Sequence, residues 1–214
     1  LTLDPEDVRK KISPYTKVII PVHMRGAPAC MDHLMALSDE KGVCILEDAA
    51  QAVGASFQGR AIGSIGHAGT YSLHMTKVIT AGEGGMVTTN DAGIHRRALM
   101  YHDSAVCPHD GVPIEEWLPG VNLRMSELHA AVALVQLRQL DSIVGDMRAH
   151  KAKLKQMVGD ELLKKGATFR TIHDSGGDAS IALIFFIPDQ GRTARVASAL
   201  ADENIPATRL YLDL

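Results

Sequence analysis

Cysteine is scarce: Cys30, Cys44 and Cys107 are the only three in 214 residues, odd in number and widely spaced. That excludes a disulfide framework and offers no zinc-type spacing, so a reducing compartment, the cytoplasm, is expected. No apolar run approaches the ~20 residues of a membrane-spanning helix, and no secretory apolar stretch is present. Neither sign of charge dominates, since 22 Lys and Arg face 25 Asp and Glu, for a net charge of −3 with histidine neutral. Nothing there favours nucleic acid or a membrane surface as a partner. Internal repeats and low-complexity segments are missing, and the ten histidines do not cluster as ligands would, so no metal is expected. What is present is apolar content, 46%, which rules out disorder and suits one large domain or a domain plus part of another. The first residue is Leu1 instead of methionine, and the expectation is a segment cut from something longer.

The pattern along the chain is α/β. Asp4-Pro5 suits the start of a short helix, the carboxylate as cap and the proline in the first turn. Val18–Val22 reads as a strand, with Pro21 better placed at its end than its middle. Cys30–Lys41 has helical spacing, Gly42 stops it, and Val43–Leu46 reads as a buried strand. Strand, helix and strand within about thirty residues predict a parallel crossover unit. Phe57–Arg60 reads as an exposed turn, and Thr70–Leu73 and Met86–Thr89 as short strands. Asn90-Asp91 caps a helix through Leu99, residues 102–120 predict a long loop, and Ser126 opens a helix running to about Val144, then continuing or restarting through Leu154 and Met157. Thr168–Ile172 and Ile181–Ile187 are strand candidates, followed by a helix over Thr193–Ala201. The expected organisation is residues 1–145 as part of a large domain, then 146–214 as a linking helix and a partial smaller domain.

The chemistry concentrates in Tyr71–Met86, where Lys77 stands between a small hydroxyl residue, Ser72, and the glycines Gly82, Gly84 and Gly85. A lysine in an apolar, glycine-rich setting is costly to desolvate unless it has a role. Forming a Schiff base removes the charge and turns that cost into chemistry, although a surface lysine in a hairpin is the plain alternative. Asp48 follows the strand Val43–Leu46, at the kind of strand end that forms the ligand crevice of open parallel sheets. A carboxylate there can keep a pyridine nitrogen protonated; a helix cap is its ordinary role. Glu47 competes for the assignment, but strand alternation turns it the other way. Gln51 can approach a ring hydroxyl or ring face. Ser72 can donate to a phosphate or make a local turn bond. The glycines fail the Walker pattern, because Lys77 precedes them, and they form no dinucleotide fingerprint. Amine, carboxylate and phosphate donors together are what a pyridoxal phosphate enzyme requires.

Three blocks in order, Glu47-Asp-Ala-Ala-Gln51, Ser72-Leu-His-Met-Thr-Lys77 with Gly82-Glu-Gly-Gly85, and Pro119–Leu128, make the chain resemble the DegT/DnrJ/EryC1/StrS family of sugar aminotransferases. The resemblance covers most of residues 1–145. It implies the three-layer α/β/α large domain of fold type I, with a mostly parallel sheet, incomplete here, plus part of a smaller α+β domain. It implies pyridoxal 5'-phosphate bound through Lys77, with Asp48 at the pyridine nitrogen, Gln51 at the ring and Ser72 at the phosphate. By the same resemblance Asn122 reaches the phosphate of a neighbouring subunit and Arg124 lies near that composite site, giving a homodimer with shared active sites. His23 falls in a block near the cofactor pocket, and His74 is a further substrate-side candidate. On residue type alone, Asn122 and Arg124 are loop residues and His23 a histidine at a strand end.

The reaction so implied is ping-pong transfer of an amino group from glutamate or glutamine to a keto-sugar, nucleotide-linked or octulosonate-type, for surface polysaccharide or related sugar biosynthesis. Family members are longer, and their early phosphate-binding turn and cofactor-stacking aromatic have no counterpart here. The expectation is a central piece of an enzyme, itself weak in cofactor binding or inactive. Related dehydratases place histidine where this chain has Lys77, so the lysine favours transamination over sugar dehydration. Cyclitol amination, aminobenzoate synthesis and a silent regulatory member are the other readings.

Overall fold

The computed structural model describes residues 1–103 and 112–210, which form two compact units. Residues 1–149 and 172–182 make the first, and 150–171 with 183–214 the second. The first unit is built on four strands in the order β1 (Val18–Ile19), β2 (Cys44–Asp48), β5 (Ala68–Ser72), β6 (Gly85–Thr89). β1, β2 and β5 are mutually parallel, in the register Ile19↔Ile45 and Asp48↔Thr70, and β6 returns antiparallel with Ser72↔Gly85. The expected α/β class with a mostly parallel sheet is therefore present.

Local chemistry explains the helices. α1 (Pro5–Lys11) starts on Asp4, whose Oδ1 accepts from Glu6 N at 3.0 Å. α2 (Met31–Lys41) turns Met31, Leu34, Leu37 and Ser38 inward against β2, and Gly42 ends it in the left-handed region. That inward face meets Ile19, Val43, Ile45, Ala49 and Ala52 in the main core. β3 (Ser56–Phe57) and β4 (Arg60–Ala61) form a hairpin across Gln58-Gly59, so the expected exposed turn is the tip of a small antiparallel pair. α3 (Ala92–His102) is capped by Asp91, whose Oδ1 accepts from Ile94 N at 2.7 Å. Asp91→Ala is expected to lower stability by about 1 kcal/mol, read as a shifted urea midpoint at unchanged slope.

Three expected elements come out differently. β1 keeps only two residues, because Pro21 has no N–H for the ladder; Val22 rejoins as a single bridge to Asp48. The long helix divides into α4 (Glu127–Leu137) and α5 (Leu140–Lys164), where Gln139 N tightens onto Gln136 O at 3.0 Å. The two late strands shrink to β7 (Thr168–Phe169) and β8 (Phe185–Phe186). Residues 172–182 spend their backbone groups elsewhere: Gly177 O accepts from Ser56 N at 2.9 Å and Ala179 N donates to Gly26 O at 3.0 Å. That segment belongs to the first unit. Of the expected loop 102–120, residues 104–111, with Cys107, lie outside the described residues.

The second unit contains β7 and β8, paired antiparallel, and α6 (Gln190–Asp202), capped by Asp189. Phe169 and Phe185 pack edge to face at 6.4 Å between centroids, and Lys155 Nζ sits 5.1 Å over the Phe169 ring. Among the described residues, no helix is long and apolar enough to cross a membrane.

Candidate active site

Because β1, β2 and β5 run the same way, the segments following them leave one edge of the sheet. His23–Arg25, Asp48–Gln51 and Ser72–Lys77 are therefore brought together, at the edge where open parallel sheets bind ligands. Backbone bonds hold the first two in place: Asp48 N donates to Pro21 O and His23 N to Asp48 O, each at 3.0 Å.

The Lys77 turn is laced to the sheet. Leu73 N donates to Gly84 O at 2.8 Å, Ala81 N to Leu73 O at 2.9 Å, and Lys77 N to His74 O at 3.0 Å. Leu73, Ile79 and Ala81 are buried beneath it with Val53. Lys77 is half-buried and lines an open cavity of about 460 Å³ with Arg25, Gln51, Thr76, Val78, Met147 and Ile181. Its size lies within the ~300–1,000 Å³ usual for small-molecule sites. The lining contains two cations and no carboxylate. Gln51 turns its Oε1 to Arg25 N at 3.2 Å.

The remaining expected residues divide. Asp48 ends β2 on this edge, outside the cavity lining, and its Oδ1 accepts from Ala50 N at 3.0 Å. Ser72 Oγ accepts from His74 N at 3.3 Å, the local turn bond, which leaves its hydroxyl proton to donate. His74 contacts Thr76 Oγ1 through Nδ1 at 3.0 Å, and its Nε2 stands 3.7 Å from Glu83 Oε1. Asn122 and Arg124 are exposed and joined to each other, Arg124 Nε donating to Asn122 Oδ1 at 3.2 Å. Arg124 Nε also lies 3.1 Å from Asp103 Oδ1. Neither lines the cavity.

His23 requires a correction. It is fully buried, and both ring nitrogens are engaged: Ala29 N donates to Nδ1 at 3.0 Å, and Nε2 lies 3.2 Å from Glu47 Oε2. Nδ1 is an acceptor, so the proton is on Nε2, which donates to the carboxylate. No ring nitrogen remains for a cofactor.

Glu47 shares the buried face of β2 with Ile45, opposite Asp48. Oε2 also accepts from Gly63 N at 2.8 Å, and Oε1 accepts from Ile65 N at 2.7 Å and Gly66 N at 2.6 Å. Burial pushes this carboxyl up, but the His23 imidazole and the three amides outweigh it and hold it below the ordinary carboxylate range. Gly69 lets the 63–66 turn lie against β5, since a Cβ there would stand 2.2 Å from Gly63 O.

Sequence reasoning missed Arg25, Met147, Ile181 and the weight of Glu47. Arg25 had a signal, a cation in the turn His23-Met-Arg-Gly26 after a strand; Met147 and Ile181 had none. Among the described residues, one group also has metal-ligating atoms within 4.8 Å of one another, Cys30, Asp32 and His33. Burial and Asp32 push the Cys30 thiol up to about 11, and it donates to Asp32 Oδ1 at 3.2 Å, so ligation would first have to remove that proton.

The donor set fits pyridoxal phosphate: an amine with no partner among the described residues, an amide in the same cavity, and a carboxylate and a hydroxyl on the same sheet edge. The family model described as the DegT/DnrJ/EryC1/StrS aminotransferase family matches residues 1–214. L-glutamine:2-deoxy-scyllo-inosose aminotransferase of Streptoalloteichus tenebrarius is 39% identical over 230 aligned residues, 99% of this chain and 54% of that protein. The crystal structure of 3-amino-5-hydroxybenzoic acid synthase is similar at 32% identity and a TM-score of 0.83, covering 97% of this chain and 54% of that one. DesV of S. venezuelae, in complex with a ketimine intermediate, is similar at 30% identity and a TM-score of 0.82, covering 96% and 53%. GDP-4-keto-6-deoxy-D-mannose-3-dehydratase of E. coli, at 21% identity and a TM-score of 0.78, shares the fold. The chain spans about half the length of the relatives it matches.

Proposed function

Since the chain belongs to the DegT/DnrJ/EryC1/StrS aminotransferase family, we propose that it binds pyridoxal 5'-phosphate through Lys77 and works as an aminotransferase on a polyhydroxylated ketone. The observation that carries this reading is Lys77 at the carboxyl edge of a parallel sheet, in one cavity with Gln51. When bound, the cofactor supplies an electron sink for negative charge at a substrate carbon.

Lys77 Nζ would hold the cofactor and, when free as the amine, would accept the proton from the donor's α-carbon as general base. Asp48 would hold a proton at the ring nitrogen through its carboxylate. Gln51 would offer its Nε2 to the ring, since Oε1 is taken by Arg25 N. Ser72 would donate its hydroxyl to the phosphate. Asn122 would complete that phosphate site from a second copy of the chain, with Arg124 beside it. Support for a homodimer comes from α4, which buries none of its residues and leaves Leu128, Val132, Leu134, Val135 and Leu137 exposed next to Val121 and Leu123. A helix that leaves so many apolar residues exposed calls for a covering surface.

The amino donor is glutamine or glutamate, and the Streptoalloteichus relative favours glutamine. The acceptor is a keto-sugar, nucleotide-linked or octulosonate-type, or a cyclitol ketone such as that relative's, serving amino sugar or polysaccharide biosynthesis. The lysine favours amination over the dehydration seen in the E. coli protein. Borohydride treatment of the cofactor-loaded protein, followed by peptide mass analysis, tests the reading. A phosphopyridoxyl group on Lys77 supports it; a folded protein labelled elsewhere or not at all ends it. Asp48→Asn is expected to slow turnover by about 10²–10³-fold with the label on Lys77 retained, measured by single-turnover absorbance.

A further inference from the structure

Arg25 has a backbone that its residue type does not favour. It lies at φ 54° and ψ 39°, in the left-handed region that glycine enters freely and a long side chain does not. The next residue, Gly26, is clamped: its carbonyl accepts from Ala179 N at 3.0 Å, and a Cβ on it would meet Ala179 and Ile181 at 3.1 Å. On the other side Arg25 N donates to Gln51 Oε1. The turn is thus held from both ends, and it places Arg25 in the lining of the Lys77 cavity. A strained conformation held by its surroundings points to a use for the side chain it presents.

The electrostatics indicate that use. The chain carries a net charge of −3, yet this lining has Arg25 and Lys77 and no acid. No hydrogen bond or ion pair engages the Arg25 guanidinium among the described residues. A half-buried guanidinium without a counter-ion is a preformed receptor for a planar or tetrahedral oxyanion, which its paired N–H groups match two at a time. Once Lys77 is covalently occupied, Arg25 is the remaining cation of the cavity.

We infer that Arg25 is a specificity-determining residue that binds a substrate oxyanion in the Lys77 cavity. The inference rests on the aminotransferase reading above. Two substrates offer that chemistry: the amino donor through the carboxylate next to its reacting carbon, and a nucleotide-linked acceptor through its diphosphate. The donor carboxylate is present whichever ketone is used.

Arg25→Gly in the full-length protein removes the guanidinium and relieves the left-handed residue, so the melting temperature should be unchanged or higher. Calorimetric titration of the cofactor-loaded protein then reads binding without turnover, using glutarate and, separately, thymidine diphosphate. The expected result is glutarate affinity weakened about 10- to 100-fold, the loss of a charge-assisted pair, with cofactor affinity within about twofold of the parent. Weakening confined to the diphosphate supports the same role with the acceptor as the source. Unchanged binding of both, with Lys77 still labelled by borohydride, overturns the inference and leaves the aminotransferase reading intact. Loss of cofactor affinity with glutarate binding unchanged also overturns it, assigning the guanidinium to the cofactor. An unlabelled Lys77 in the parent protein defeats the aminotransferase reading itself. Arg25→Gln, which keeps a long polar side chain but loses the charge, serves if the glycine variant does not fold; unaltered glutarate and diphosphate affinity there overturns the inference too.

Discussion

Lys77→Ala is expected to abolish covalent retention of pyridoxal phosphate and to cut amino transfer by about 10²–10⁴-fold through the lost proton transfer alone. The fold should survive. Lys77 Nζ has no partner among the described residues, and the turn around it is held by the main-chain bonds from Leu73, Ala81 and Lys77 N, which alanine keeps. Lys77→Arg separates charge from nucleophilicity: guanidinium stays protonated at any working pH and can neither form the link nor accept the proton. Both variants should lose the absorbance of the covalently held cofactor. A small primary amine added to the alanine variant should restore part of the rate, because the cavity is open and the missing group is only an amine. Stopped-flow measurement of the donor half-reaction provides the check. Undiminished turnover in Lys77→Ala would remove this lysine from the chemistry.

Glu47→Ala should destabilise the protein by about 3–5 kcal/mol, the usual cost of breaking a buried charged network from one side. The variant strands the amides of Gly63, Ile65 and Gly66 and the Nε2–H of His23, all of which point at this one carboxylate. Glutamine should not rescue it. Each oxygen of Glu47 accepts two donors, so the amide nitrogen of glutamine would face N–H groups whichever way it turned. Flipping the His23 tautomer would not help, since its Nδ1 would then oppose Ala29 N–H. Asp48→Asn, one residue along and with one main-chain bond, should stay within about 1 kcal/mol of the parent. Urea unfolding at neutral pH compares the three.

The same group sets an acid limit. With the carboxyl held below its ordinary value in the folded protein, the unfolded chain takes up the proton first as pH falls. The stabilisation is therefore complete above the ordinary glutamate value, about 4.3, and is lost as pH falls below it toward the folded value. A urea midpoint that drops below pH ~4 in the parent and drops less in Glu47→Ala is the expected pattern. Equal acid sensitivity in both would assign the loss to other carboxylates.

Much of the local structure is legible in the amino-acid sequence. Gly42 stops α2 because a left-handed residue is needed there, and Asp4 and Asp91 cap α1 and α3 because short carboxylates reach the orphan amides. Strand period two separated Glu47 from Asp48, and β2 has them on opposite faces. A restart of the long helix was open in the sequence, but its place between Leu137 and Leu140 was not legible, since Arg138 and Gln139 are good helix formers; only a tightened turn marks it. Nor were the short β7 and β8, where apolar runs suited to strands yield to a segment whose main chain is satisfied by Ser56, Gly26 and Arg148.

Family, α/β class, and the lysine and carboxylate placed after successive strands follow from sequence alone, because they depend on local periodicity and on residues close along the chain. The tertiary structure decided the cavity. It brought Met147 and Ile181 to Lys77 from far along the chain, turned Arg25 inward through a backbone conformation its type disfavours, and gave His23 to Glu47. Those outcomes depend on which distant groups satisfy one another once buried, and no local pattern encodes that pairing.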